Sequence, residues 1–401
     1  MKYRIAFVTG LPNWHFSEFY KKLASHPKID LTMLFCESLG ENVYKEAFGI
    51  SNLEWGVNLL EGYKYKFLKN YSPFPPTFGK TKLFSHLNFG VWNEIKKGHY
   101  HAVIVDIWND ISYWLAALAC KVSNTPLLFA SDSTILTERA KPKWKRVIKQ
   151  VLLGRLLFPL ASGFLYRTEL NRQFYLHYGI SEKLLFFYPL SVDYEGLSNR
   201  YCELKKERHK LRLRYGIPTN AFVILFVGRL SKEKKLQDLI EGYMKTKAEN
   251  KALIIVGDGK LRETLQEFVK RRNLQNVYFM GFRPKTEVPN FYALSDLLVL
   301  PSDYETHGDV VKEAMCFRLP VVVSDKVGAS ADLVKHSKNG FVYPCGNIDM
   351  LTFYIDELSD KAKREQFGEM ASEEVKKWDH SVAINGLINA LDFIYRRVNN
   401  G

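Results

Sequence analysis

Between Phe222 and Tyr343, short apolar runs alternate with amphipathic stretches, and few folds accept that alternation. Phe222–Val227, Ala252–Val256, Val277–Met280, Leu297–Leu300 and Phe341–Tyr343 are rich in Val, Ile, Leu and Phe. Leu236–Lys245, Leu261–Arg271 and Val288–Ala293 lie between them with helical spacing. Apolar runs without polar alternation are buried on both faces, the condition of a strand in a parallel sheet covered by helices. The first half repeats the pattern less cleanly. Arg4–Val8, Leu31–Phe35, Ala102–Asp106, Pro126–Ala130 and Phe164–Tyr166 read as strands, with helices over Phe16–Ala24 and Tyr113–Val122, and Leu184–Tyr188 closes the first half. Residues 38–82 read as strand pieces and a long loop. The expected fold is α/β: two Rossmann-like parallel-sheet domains facing a cleft, with ligands at the carboxyl ends of the strands. The first domain is expected over 1–195, a polar connection over 196–212, and the second domain over 213–380. Residues from about 380 to 401, with Leu387, Leu391 and Ile394 on one helical stripe, are expected to return to the first domain.

Composition narrows the class. A net charge of +14 calls for an anionic partner: nucleic acid, an acidic membrane surface or a phosphorylated substrate. No nucleic-acid recognition motif accompanies the charge, so nucleic acid is not expected. Five scattered cysteines with no CxxC pair point to reduced thiols in the cytoplasm, without a zinc site or disulfide frame. The opening MKYRIAFVTG enters a strand at once, so no secretory leader is expected. The best spanning stretch, Val147–Tyr166, is interrupted by Lys149, Arg155 and Pro159, and no membrane span is expected.

Pro301–Val327 concentrates the chemistry. Glu305 and Glu313 flank Gly308, which stands where a loop turns into a helix. Glycine admits a ligand close to the backbone, and the first N–H groups of a helix attract an anion. The stretch can therefore hold a phosphate with an acid on each side for hydroxyl groups. Taken singly, each acid reads more simply as a solvated loop or helix residue. Upstream, the strand Phe222–Val227 runs into Gly228 and Arg229, with Lys234 following. An Arg and a Lys at that sheet edge can neutralise a diphosphate. Gly257–Asp258–Gly259 follows another strand and reads as a phosphate cradle or, more simply, a tight turn. Arg262 stands where a dinucleotide fingerprint needs its third Gly, which disfavours a dehydrogenase.

The motifs VGRLSKEK, IIVGDGKLRETL, ETHGDVVKEAM, PVVVSDKVGASADLV and NGFVY, in that order, resemble the family 4 retaining glycosyltransferases of the GT-B fold, the glycosyl transferases group 1. The resemblance is strong from Phe222 to Tyr343. It implies transfer of a sugar from a UDP- or GDP-linked donor to a glycan or lipid-linked acceptor, with retention, without a metal and without a cofactor. It places Glu305 on the sugar hydroxyls and Glu313 on the nucleotide ribose. Arg229 and Lys234 fall on the diphosphate, assisted by Gly228 and by backbone N–H groups of Gly308, Asp309, Val310 and Val311. Phe282 and Arg283 match the edge of the base. The chain departs from the family at Thr306 and His307, in place of a Gly and an aromatic residue, and at Lys235 and Arg318, where Gly is usual. His307 is placed to meet sugar or phosphate, or to be a solvated loop residue.

The first half resembles the family loosely. Gly10 matches the loop that approaches the donor phosphates. Asp132 lies near the place of the reacting carbon and is a catalytic candidate there, though its simpler reading is a cap on the next helix. Trp14 and His15 are acceptor-side candidates by position. Residues 141–159 form a basic amphipathic stretch that reads either as a helix docking on an anionic membrane or as a core-facing helix with a solvated basic side. The expected enzyme is a cytoplasmic or peripheral glycosyltransferase of surface glycan, glycolipid or exopolysaccharide synthesis. The alternatives are a non-catalytic nucleotide-sugar or anionic-polymer binding protein, and a GT-B phosphorylase or epimerase.

Overall fold

The computed structural model describes residues 1–12, 14–37, 58–74, 83–139, 141–305 and 308–399, with side chains left out at 14, 15, 398 and 399. These residues form two units. The first comprises the described residues of 1–191 and 380–399, the second those of 192–379.

The first unit carries a seven-stranded parallel sheet of β1 (Tyr3–Thr9), β2 (Ile29–Phe35), β3 (Lys64–Phe67), β4 (Ala102–Val105), β5 (Leu127–Ala130), β6 (Gly163–Tyr166) and β7 (Leu185–Phe187). Their order is β3-β2-β1-β4-β5-β6-β7. The central strands are buried on both faces, as their uninterrupted apolar runs require. On one face, helices Gly90–Gly98, Ile111–Val122 and Glu169–His177 cover Val103, Val105 and Phe129. On the other, helices Trp14–Ser25 and His380–Asn399 cover Ile5, Phe7, Ile104 and Leu128, with Leu387, Leu391 and Ile394 pointing inward.

The second unit carries six parallel strands: β8 (Phe222–Val227), β9 (Lys251–Val256), β10 (Val277–Gly281), β11 (Leu297–Leu300), β12 (Val321–Ser324) and β13 (Gly340–Tyr343). Their order is β10-β9-β8-β11-β12-β13. In both sheets the direction of strand addition reverses beside the unit's first strand, between β1 and β4 and between β8 and β11. Such a reversal opens a crevice at the carboxyl ends of those two strands.

The segment 196–212 is not a connection. It lies in the helices Tyr194–Lys206 and Arg208–Arg214 of the second unit, where Leu204, Leu211 and Arg212 are buried. Its charges misled because two of them are spent inside the fold: Arg208 and Arg212 both reach Asp296. The chain passes between units at 191–192 and again at 379–380.

Candidate functional site

The loops leaving β8 and β11 bring the sequence-singled residues to one edge of the second unit's sheet. After β8, Gly228 packs backbone to backbone on Gly257. A Cβ on Gly257 would stand 1.9 Å from the Gly228 carbonyl oxygen, so only glycine fits there. Leu230 N–H donates to the Asp258 carbonyl (2.9 Å), and Leu261 N–H to that of Leu230 (3.1 Å). Gly257–Asp258–Gly259 thus works as a tight turn that fixes the path of the Arg229 loop. Arg229 itself is exposed at the rim.

Lys232–Lys234 makes one tight helical turn, which directs Lys234 across to Glu305, and the two form an ion pair. The loops are also joined through the backbone, Asp303 N–H donating to the Glu233 carbonyl at 2.9 Å. Burial pushes the Glu233 carboxyl up, but a 2.6 Å hydrogen bond from Ser231 Oγ and the charges of Arg229 and Lys234 bring it below the usual range. The backbone of Glu305 is pinned on its far side: its N–H donates to Lys326 O (3.3 Å), and its carbonyl accepts from Gly328 N–H (2.8 Å). The carboxylate is therefore set by its own loop and by the loop after β12.

Gly308 opens the helix Asp309–Cys316 in the left-handed region, with φ +74°. A side chain there would be strained and would meet Val327 at 3.0 Å. Asp309 in the first turn pairs with the buried Lys312 at 2.7 Å. One turn on, Glu313 accepts a 2.7 Å hydrogen bond from the hydroxyl of Tyr292, whose ring is buried. Burial and the Glu313 charge push that hydroxyl well above its ordinary pKa, so it stays a donor.

Several expectations change here. The Val311 side chain is core, leaving only its backbone for a ligand. Arg283 turns onto its own loop, donating to Met280 O (3.1 Å) and pairing with Glu287 (3.3 Å), while Phe282 is half-buried beside it. Thr306 and His307 lie outside the described residues. The two positions where glycine is usual prove to be left-handed, Lys235 at φ +49° and Arg318 at φ +56°. Glycine suits that geometry; this chain accepts side-chain strain instead. Sequence reading missed Tyr292 and the Asp309–Lys312 pair. Only the apolar spacing around Tyr292 was visible, which marks it as core.

The first unit holds a second charged cluster at the carboxyl edge of its sheet. Asp132, after β5, pairs with the buried Arg167 at 2.7 Å. Arg167 also pairs with Asp106 after β4, and its guanidinium lies 5.5 Å from the centre of the Phe16 ring. Gly10 follows β1 and accepts from Glu37 N–H at 2.9 Å. Trp14 and His15 start the helix Trp14–Ser25, and their side chains lie outside the described residues. Buried His86 stands 3.0 Å from Asp110 and 3.5 Å from Glu37. Burial pushes the imidazole pKa down, but hydrogen bonding and charge from the two carboxylates outweigh it and raise it to about 9. This is above the unfolded value of about 6.5. The pair's stabilisation is therefore whole below about pH 6.5 and is lost as pH rises through about 9. Urea midpoints should fall more between neutral and alkaline pH for the natural chain than for His86→Gln.

Among the described residues no group of three or more His, Cys, Asp or Glu side chains could hold a metal ion, and no helix is long and apolar enough to cross a membrane.

Two doubly wound parallel sheets place the chain in the GT-B class, and solved structures agree. Anabaena HepE in complex with UDP superposes with a TM-score of 0.71 at 20% identity, covering 98% of this chain and 100% of its own. A glycosyltransferase from Rickettsia africae gives a TM-score of 0.74 at 17% identity, covering 98% and 99%. Residues 207–374 match the family model "Glycosyl transferases group 1". An uncharacterized glycosyltransferase of Methanocaldococcus jannaschii is 35% identical over 201 residues, 48% of this chain and 51% of the relative. The sulfoquinovosyl transferase of Arabidopsis thaliana is 32% identical over 202 residues, 49% of this chain and 38% of the relative. The chain thus spans about half or less of the length of these curated relatives.

Proposed function

We propose that the protein transfers a sugar from a UDP- or GDP-linked donor to the hydroxyl of a glycan or lipid-linked acceptor, with retention of anomeric configuration and without a metal. The observation that carries this reading is the Lys234–Glu305 pair at the β8–β11 switch point, inside the segment that matches the glycosyltransferase family. A diphosphate needs cations that strengthen their hold as charge develops on it, and Arg229 and Lys234 supply them. The Gly308 turn lets the donor approach the helix tip. Lys312 neutralises Asp309 there, so the acid does not cancel the tip's attraction for an anion. Glu305 takes the sugar hydroxyls. Glu313, oriented by Tyr292, takes the ribose. The sugar–phosphate bond breaks as the acceptor oxygen attacks from the same face, and the acceptor proton passes to the departing phosphate oxygen. No protein nucleophile is needed.

In the first unit, Gly10 is assigned to the donor phosphates. The ion pair with Arg167 favours a positioning role for Asp132 over proton transfer. The setting we propose is surface glycan or glycolipid synthesis, with an anionic membrane surface as a further partner. A thermal-shift panel of nucleotide-sugars tests the reading. One donor class should raise the midpoint, since a ligand at about 100 times its Kd stabilises by about 2.7 kcal/mol. A flat response to UDP- and GDP-sugars alike would overturn it.

A further inference from the structure

The helical segment from Lys143 to Leu157 wears its apolar stripe on the outside. Trp144, Val147, Ile148, Val151, Leu152 and Leu156 follow the three- and four-residue spacing of one helix face, yet each is between 41% and 64% exposed. Only Leu153 and Leu157 point into the core. The alternative of an ordinary core-facing helix with a solvated basic side is therefore excluded by orientation. A soluble protein rarely leaves such a stripe bare unless something covers it.

Charge says what covers it. From Arg139 to Arg167 the sequence contains eight Lys or Arg residues and no acid. Lys143, Lys145 and Arg155 are exposed beside the stripe, and Lys145 lies 5.2 Å from the centre of the Trp144 ring. A second copy docking the same face would bring like charges together, so a symmetric dimer is opposed. Exposed Trp and aliphatic residues with flanking cations fit the boundary of a bilayer bearing anionic headgroups, where rings and methyls enter the acyl edge and ammonium groups meet phosphate. We propose that the face formed by residues 143–156 docks this protein in plane on an anionic membrane surface. The docking is independent of the sugar-transfer reading.

Vesicle flotation of the full chain tests this. The chain should float with phosphatidylcholine vesicles containing about one-third phosphatidylglycerol, and at least about tenfold less with phosphatidylcholine alone. The triple variant Trp144→Ser, Ile148→Ser, Leu152→Ser should lose flotation about tenfold or more. It should keep its thermal midpoint, because all three side chains are exposed. Lys145→Glu with Arg155→Glu should lose the anionic preference. No flotation of the natural chain, or undiminished flotation of the triple variant, would overturn the proposal. So would a natural chain that is dimeric in solution where the triple variant is monomeric, since the face would then join two copies. A flat nucleotide-sugar panel with intact flotation would remove the transferase reading and leave this one standing.

Discussion

Glu305→Ala and Arg229→Ala should each lower sugar transfer by about 100- to 1,000-fold, the usual loss when one group that stabilises transition-state charge or orientation is removed. Neither should unfold the protein. Arg229 is exposed, and surface substitutions rarely move stability by more than about 0.5 kcal/mol. The Glu305 loop is held by its backbone bonds to Lys326 and Gly328, which alanine keeps. Removing the carboxylate also frees Lys234 from its ion pair, so donor binding and transfer should separate. Nucleotide-diphosphate affinity should hold or rise in Glu305→Ala while transfer of the sugar collapses. In Arg229→Ala both should fall. Glu305→Gln keeps the reach and the hydrogen bonding but not the charge, and should land between. Single-turnover transfer beside calorimetric titration with the nucleoside diphosphate separates these outcomes. Natural rates in both alanine variants would remove the site from this sheet edge.

The sheets were legible because parallel strands buried on both faces must be apolar throughout, and β4, β5, β8 and β11 are. The candidate site was legible as a placement of residues at turns: Lys234 and Glu305 meet at loop ends, and Gly308 stands at a left-handed cap. What escaped were groups whose roles depend on distant partners. Tyr292 carries no signal of its contact with Glu313, which is 21 positions away. Lys312 looks like a solvated helix cation, yet it is buried against Asp309. Lys235 and Arg318 stand at left-handed positions, φ +49° and +56°, which favour glycine, and nothing in their own residue types signals that backbone. The stripe on 143–156 was legible as amphipathic, but its direction was not, because the pattern is the same whether the apolar side faces core or lipid.

The segment 196–212 failed for the same reason, and it yields the largest expected stability effect. Asp296 stands at the amino end of β11, at the opposite end of the strand from the Glu305 loop. Its carboxylate accepts from Arg208 Nη2 (2.8 Å), Arg212 Nη2 (2.8 Å) and Val223 N–H (2.9 Å), with Arg364 Nε at 3.4 Å. Arg212 is buried and spends its remaining donors on the carbonyls of Leu294, Thr219 and Ala221 at 2.8–2.9 Å. Burial pushes its guanidinium pKa down, as does the neighbouring Arg208 charge, and Asp296 offsets them only in part, so the pKa stays below its ordinary value. Asp296→Ala removes the counter-charge from under three arginines and should cost about 3–5 kcal/mol, the range for breaking a buried ion pair from one side. Arg212→Ala should cost a similar amount by stranding three carbonyls and removing one of the two donors to Asp296 Oδ2. The double variant should cost clearly less than the sum, because each change removes the partner the other would strand. Asp296→Asn keeps acceptor and shape but not charge, and should fall between natural chain and alanine. Urea unfolding of the four variants beside the natural chain reads these values. Additive costs would mean that the segment's charges are solvated and only its leucines hold it.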